Sequence, residues 1–246
     1  MKRVAIFGAT SAIAAEVAAL CVARGDQVHL LARSESKLDA LRMRLNSEQL
    51  SHTLVDFDDL AAGAQSVAHA IDALGGLDMV LIAHGLLGDQ LLSESDAAHA
   101  QAILHTNLLS VVSLLIPLAN HMDAAGAGTL AVITSVAGDR GRPRNYTYGA
   151  AKGALNIYLQ GLRTRLYPRG VHITTLKLGP VHTPMTTDHP KNSLFAQPHD
   201  VAREILEAMD GGRAEVYVPA KWAAIMGLVK NAPEFLVQRL PFLSGR

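Results

Sequence analysis

The chain predicts an α/β fold, a doubly wound parallel sheet with helices on both faces. Three features point that way. Short β-like apolar runs alternate with helical stretches along most of the chain, which is the pattern of strand–helix–strand units. At 246 residues, 49% of them hydrophobic, the chain is long enough to bury a large core. A glycine, Gly8, closes the first apolar run, where such a sheet turns from strand to helix and faces its ligand.

The elements follow in order. Arg3–Phe7 reads as a strand, broken by Gly8-Ala9-Thr10-Ser11 before a helix over Ser11–Ala23. Strand Gln27–Ala32, helix Glu35–Leu45, strand His52–Phe57, helix Leu60–Leu74 and strand Asp78–Ala83 come next. A long helix is expected over about Asp96–Met122, ended by Gly126 and Gly128. Strand Thr129–Ser135 leads to helix Tyr146–Tyr167, stopped by Pro168 and Gly170. Strand Val171–Lys177, helix His199–Met209 and strand Glu215–Val218 complete the alternation. No linker, repeat or low-complexity tract interrupts residues 1–246, so one domain is expected, with about 219–246 as an amphipathic helical tail.

Composition excludes several classes. With 22 basic and 22 acidic residues the formal charge is zero, and no electrostatic footprint for nucleic acid is present. The single cysteine, Cys21, excludes an internal disulfide and fits a reducing compartment, so a cytoplasmic protein is expected. The eleven histidines are scattered, with no metal-ligand spacing, and no metal is expected. Met1-Lys2-Arg3 and the apolar residues behind it imitate a signal peptide, but Gly8-Ala9-Thr10-Ser11 and Glu16 break the run. No other stretch reads as long and apolar enough to span a bilayer.

The chemistry gathers between Thr134 and Lys152. Tyr148 and Lys152 lie four apart on a helix start and share a face. A phenol with a pKa near 10 is a poor acid or base at neutral pH, and a lysine ammonium one turn away is expected to lower that value. Ser135, at the end of the preceding strand, can hold a carbonyl oxygen beside the phenol. Such a group of residues suits proton transfer at a carbonyl or alcohol oxygen and needs a hydride partner. A tyrosine and lysine on an ordinary surface helix would show the same spacing.

In context these residues resemble the short-chain dehydrogenase/reductase family over nearly the whole chain. Ser135, Tyr148 and Lys152 match its catalytic residues, and Asn107 in Thr106-Asn107-Leu108 matches its helix asparagine, which positions a water for proton relay. The resemblance implies a Rossmann fold, a nicotinamide cofactor and, from Asp56 in Val55-Asp56-Phe57, an acidic contact to adenine. It implies further cofactor contacts from Gly8, Thr10, Ser11 and Ile13, from Phe57, and from Ala83, His84 and Gly85. Tyr148 and Lys152 would share in holding the cofactor. Leu178-Gly179-Pro180-Val181-His182-Thr183 is similar to the segment beside nicotinamide, so Pro180, Val181 and Thr183 belong to the same set. Two departures stand out. Alanines 12 and 14 replace loop glycines and would narrow the approach to a pyrophosphate, and Ile82-Ala83-His84-Gly85 replaces the usual Asn-Asn-Ala-Gly. His84 reads as a packed histidine rather than a catalytic one.

NADP(H) is the expected cofactor, in preference to NAD(H). Strand Gln27–Ala32 runs into Arg33-Ser34, a cation and a hydroxyl suited to a 2′-phosphate, with no acidic residue for a free ribose hydroxyl; Asp26 precedes the strand. Arg140, Arg142 and Arg144 fall between the serine and the tyrosine. Arginine forks fit phosphate oxygens, so an anionic substrate is one reading and a solvated basic loop the other. The tail places Trp222, Ile225, Met226 and Val229 on one helix face, followed by Leu236, Val237 and Leu240. It reads as a lid, an interfacial membrane helix, a subunit contact or plain packing.

Several segments, among them Leu54-Val55-Asp56-Phe57-Asp58, His84 to Asp89, Ala137 to Arg140 and the tail, also resemble the mycobacterial decaprenylphosphoryl-2-keto-ribose reductases. That implies a keto-sugar carried on a polyprenyl phosphate. The expectation is thus a reductase of a small-molecule or lipid-linked ketone, a homo-oligomer, with peripheral membrane contact through the tail. The alternatives are a reductase of soluble hydrophobic ketones or alcohols, a cofactor-sensing regulator without turnover, and a membrane-tethering subunit.

Overall fold

In the computed structural model, residues 1–187 and 192–239 are described. Seven strands, β1 Arg3–Phe7, β2 Gln27–Ala32, β3 Leu50–Leu54, β4 Met79–Ile82, β5 Gly128–Ser135, β6 Val171–Leu178 and β7 Glu215–Val218, form one sheet in the order β3-β2-β1-β4-β5-β6-β7. All pairings are parallel. The order reverses between β1 and β4, and ligands in such sheets bind outside the strand carboxyl ends at that point.

Helices α1 Ala12–Ala23, α2 Glu35–Leu45, α3 Leu60–Leu74, α4 Gln90–Ser93, α5 Ala97–Leu104, α6 Ser110–Ala125, α7 Tyr146–Leu166, α8 Pro198–Asp210, α9 Lys221–Asn231 and α10 Glu234–Arg239 surround the sheet. Successive strand residues point to opposite faces, so β1 serves two cores. Val4 and Ile6 pack with Val17, Leu38 and Ile205 beneath α1, α2 and α8. Ala5 and Phe7 pack with Val67, Leu114 and Leu155 beneath α3, α6 and α7. Burial on both faces explains why the strands read as continuous apolar runs.

Three elements depart from the sequence reading. β3 ends at Leu54, not Phe57: Val55 N–H still reaches Ala32 O at 3.0 Å, but Asp56 then accepts from Asp58 N–H and Asp59 caps α3, turning the chain out of the sheet. The long helix is α5 and α6 joined by a π-turn, His105–Leu109. From Ala97 to Ala125 it spans 29 residues with a window of mean hydropathy 1.8, so among the described residues one helix is long and apolar enough to cross a membrane, contrary to the sequence reading. Here its Leu114, Leu115, Leu118 and Met122 are fully buried against the sheet. The tail forms α9 and α10; Leu240, assigned to its apolar face, lies outside the described residues, as do 241–246.

Candidate active site

Ser135 ends β5, and its hydroxyl accepts from Ala137 N–H at 3.1 Å, capping a single 3₁₀ turn, Val136–Gly138. α7 packs on that turn backbone to backbone. A Cβ on Gly149 would stand 2.7 Å from Ala137 O, and one on Gly138 would stand 2.7 Å from Gly153 N. Only hydrogen at these positions permits the approach. It brings the Tyr148 phenol close enough to the Ser135 hydroxyl for that hydroxyl to favour the phenolate. Lys152, buried, sends its Nζ to Ile133 O at 3.2 Å and lies 5.7 Å from the Tyr148 ring centre.

Asn107 sits in the π-turn. Its Nδ2 donates to Ile103 O at 2.9 Å and to Leu86 O at 2.6 Å, and its Oδ1 accepts from Leu86 N–H at 3.2 Å. A side-chain amide thus takes the carbonyl four residues back, which a π-turn leaves to find another donor. A Cβ on Gly85 would meet Asn107 Oδ1 at 2.8 Å and Lys152 Nζ at 3.5 Å. Asn107, Gly85 and Lys152 therefore meet at one place.

The electrostatics differ from the simple expectation that the lysine lowers the tyrosine's pKa. Burial pushes Tyr148 up to about 12, with the Ser135 hydroxyl pulling the other way. Burial also pulls Lys152 down to about 8. Tyr148 is therefore a neutral phenol at physiological pH, the form that donates a proton.

The predicted cofactor residues follow the carboxyl ends of the strands, with Gly8 and His84 in contact at the switch point between β1 and β4. Gly8 has φ +82°, and a Cβ there would collide with the His84 backbone at 2.6 Å, so this turn tolerates glycine alone. Ser11 caps α1 through Ala14 N–H at 3.1 Å, while the Ala12 and Ile13 N–H groups have no acceptor in the described chain. Ala14 is fully buried in the core, so its methyl faces the sheet and does not narrow the cradle as expected. Arg33 is exposed, 3.8 Å from Asp58, and Ser34 lies beside it with its hydroxyl 3.4 Å from Ser36. Asp56 is exposed at the end of the β3 connection, next to buried Phe57.

His84 stacks on Phe57 with centroids 4.5 Å apart, and its Nε2 lies 2.8 Å from Ser110 Oγ. Burial, with Lys152 and Arg33 nearby, pulls its pKa down to about 3, so it is a neutral packed ring. Its Nδ1 is buried without a partner among the described residues. Ala83 N–H pairs with Phe7 O at 2.8 Å. Pro180 O accepts from Ala196 N–H, Val181 bridges to Ala196, and Thr183 opens the following 3₁₀ turn.

The three arginines separate. Arg140 is spent on the tail: its Nη1 reaches Val229 O, Lys230 O and Ala232 O at 3.2, 3.3 and 2.6 Å, and its Nη2 pairs with Glu234 at 2.5 Å. A cation at the carbonyl end of α9 suits that helix terminus, so Arg140 holds the tail and is not free for substrate. Arg142 lies partly buried against Met226, and Arg144 is exposed.

Two features were missed in the sequence. Lys177 and Asp139, each 3% exposed, pair at 2.7 Å, with Glu215 at 2.9 Å from Lys177 and Tyr217 Oη donating to Asp139 at 2.7 Å. Burial opposes the Lys177 charge, but these bonds raise its pKa overall. A lysine inside the apolar β6 run was the available signal. The second is the seat of Trp222, already placed on the tail's apolar face, upon Gly179: a Cβ on that glycine would sit within clashing distance of the indole Nε1.

A profile of the family described as short chain dehydrogenase matches residues 2–193. The chain belongs to this family. An uncharacterized oxidoreductase of Mycobacterium tuberculosis is 37% identical over 241 residues, covering 97% of this chain and 96% of its own. An uncharacterized oxidoreductase from the mprA 5′ region of Streptomyces coelicolor is 32% identical over 239 residues, with 96% and 94% covered. Among solved structures, a short chain dehydrogenase from Burkholderia cenocepacia in complex with NADP superposes with a TM-score of 0.82 at 20% identity, covering 96% of both chains. ElxO with NADP bound gives 0.79 at 20% identity, covering 89% of this chain and 99% of its own. These two show the shared fold. As a short-chain dehydrogenase the protein is an NAD(P)-dependent oxidoreductase, and its residues fit that cofactor. The positive-φ Gly8 turn opens onto a helix start with unpaired N–H groups, a site for a pyrophosphate.

Proposed function

We propose that the protein reduces a ketone to a secondary alcohol with NADPH. The observation that carries this reading is the convergence of Ser135, Tyr148 and Lys152 at the end of β5. When bound, the cofactor supplies the hydride. The Ser135 hydroxyl holds the carbonyl oxygen beside the phenol, and Tyr148, kept neutral by burial, gives that oxygen its proton. The Lys152 charge, beside the ring, stabilises the phenolate left behind. Asn107, between Leu86 and Ile103 next to Gly85, orders the route by which water restores the proton. The exposed Arg33 and the half-buried Ser34 at the end of β2 support NADPH over NADH, as do the NADP-bound relatives in fold.

The finer reading is a keto-sugar on a polyprenyl phosphate, met at the cytoplasmic face of the membrane by a homo-oligomer. The resemblance of the Asp56, His84 and Asp139 segments supports it, and so do Leu228 and Phe235, 76% and 58% exposed on the tail. A soluble hydrophobic ketone is the second reading. It is favoured by the tail's other face, where Trp222, Met226 and Val229 are already buried. The test compares kcat/KM for a polyprenyl-phosphate keto-sugar with that for uncharged ketones. A preference of about tenfold or more, equal to about 1.4 kcal/mol, is expected. Equal values leave the general ketone reductase standing and reject the lipid-linked substrate.

A further inference from the structure

Buried donors without acceptors are rare in folded proteins, and two of them border the same methionine beside this active site. The first is on Arg142. Among the described residues, one of its Nη atoms meets only the Met226 Sδ, at 3.3 Å, and its Nε is buried without any acceptor. A thioether is a weak acceptor and no match for a guanidinium. Asp139 is the acid that acts on Arg142 electrostatically, but its carboxylate is already taken, one oxygen by Lys177 and the other by Tyr217 Oη. The second donor is the Trp222 indole N–H, also buried and unpaired among the described residues, one turn before Met226 on α9 and lying on Gly179.

Position adds to this. Arg142 lies six residues before Tyr148 on the loop that joins the Ser135 turn to α7. Trp222 packs with Val136, the residue after Ser135. Arg140 clasps the end of α9 and so fixes the helix that carries Trp222 and Met226. The loop and the tail thus bring a cation and a neutral donor to the same neighbourhood, around Met226 and Val136, the residue after the catalytic serine.

We propose that Arg142 and the Trp222 indole together bind an anionic oxygen, of a carboxylate or a phosphate, on the molecule whose carbonyl is reduced. A guanidinium can meet such an oxygen through its Nε edge, and the indole N–H, one turn from the Met226 contact, is a second donor without an acceptor among the described residues. The assignment deepens the reductase reading by naming the substrate class and rests on it only for the reaction. Arg142 is then the discriminating residue among the three loop arginines, and Arg140 a structural one.

Trp222 is the single tryptophan, so its fluorescence reports on the site without turnover. Protein saturated with NADP⁺ is titrated with inorganic phosphate and, separately, with acetate. At least one anion is expected to change Trp222 emission saturably in the wild type. Arg142→Gln, with the same starting emission as evidence of an intact fold, should lose the response. Arg142→Lys should keep part of it, and Arg203→Gln, which removes a surface charge on α8, should keep all of it. In parallel, kcat/KM is compared for xylulose 5-phosphate against xylulose, and for levulinate against its methyl ester. The charged member of one pair should win by about tenfold, with R142Q abolishing the advantage through KM. A phosphate-only response names a phosphate, an acetate-only response a carboxylate. No response to either anion, or an identical response in R142Q, overturns the proposal. A response that depends on Arg142, with no ketone reduced, keeps the anion site and rejects the reductase reading instead.

Discussion

The two ends of the cleft are built on opposite principles. On the cofactor side, beyond β1, β2 and β3, the polar groups aimed outward are exposed: Arg33 is 69% exposed and Asp56 stands in solvent. What is rigid there is backbone, namely the Gly8 turn wedged on His84 and the capped start of α1. On the substrate side, beyond β5, β6 and β7, the polar groups are buried: Lys152, Lys177, Asp139, Arg142 and the Trp222 indole. Exposed charges contribute little in the absence of a ligand. Buried ones are costly unless paired: Lys177 and Asp139 pair with each other and fix that part of the site before any substrate arrives, while the Arg142 Nε and the indole N–H are left to a ligand. The difference predicts that mutations on the two sides fail in different ways.

The largest effect is expected on the buried side. Lys177→Met leaves the Asp139 carboxylate without its cation in a site closed to water, a loss of about 3–5 kcal/mol. Thermal or denaturant unfolding measures it. A loss below about 1 kcal/mol would place the pair among surface salt bridges and erase the contrast.

A smaller and purely functional effect is expected on the exposed side. Arg33→Ala should raise KM for NADPH about tenfold, since a bond to a charged group contributes about 1.5–3 kcal/mol before discounting for exposure. It should leave KM for NADH and the melting temperature unchanged. An unchanged KM for NADPH would count against Arg33 as the 2′-phosphate contact, and a lowered melting temperature would break the comparison itself.

The same division explains what the sequence could reveal. β1, β2, α2, α3 and β7 fall where the sequence pattern puts them; for β1 and β2, burial on both faces leaves an unambiguous apolar signature. The Ser135, Tyr148 and Lys152 spacing is local and therefore readable. The separate fates of Arg140 and Arg142 were not readable, since two arginines two apart in a loop differ only in what the tail presents to them. Nor was the π-turn at Asn107, which depends on a side chain replacing a backbone donor. Lys177 was readable in principle: a cation inside a strand buried on both faces demands a partner. Its partner Asp139, 38 residues earlier in the chain, was not.

The central claim is hydride transfer to a ketone with Tyr148 as the proton donor. The direct measurement supplies ketones with NADPH deuterated at C4, on each face in turn, and locates the label in the alcohol by mass spectrometry, with Tyr148→Phe run beside the wild type. The account predicts deuterium at the carbinol carbon from one of the two labelled cofactors. It also predicts that the variant forms product about 10²–10⁴-fold more slowly while binding NADPH as well as the wild type. NADPH consumed with no label in the product, or a variant that keeps more than about a tenth of the wild-type rate, would contradict it.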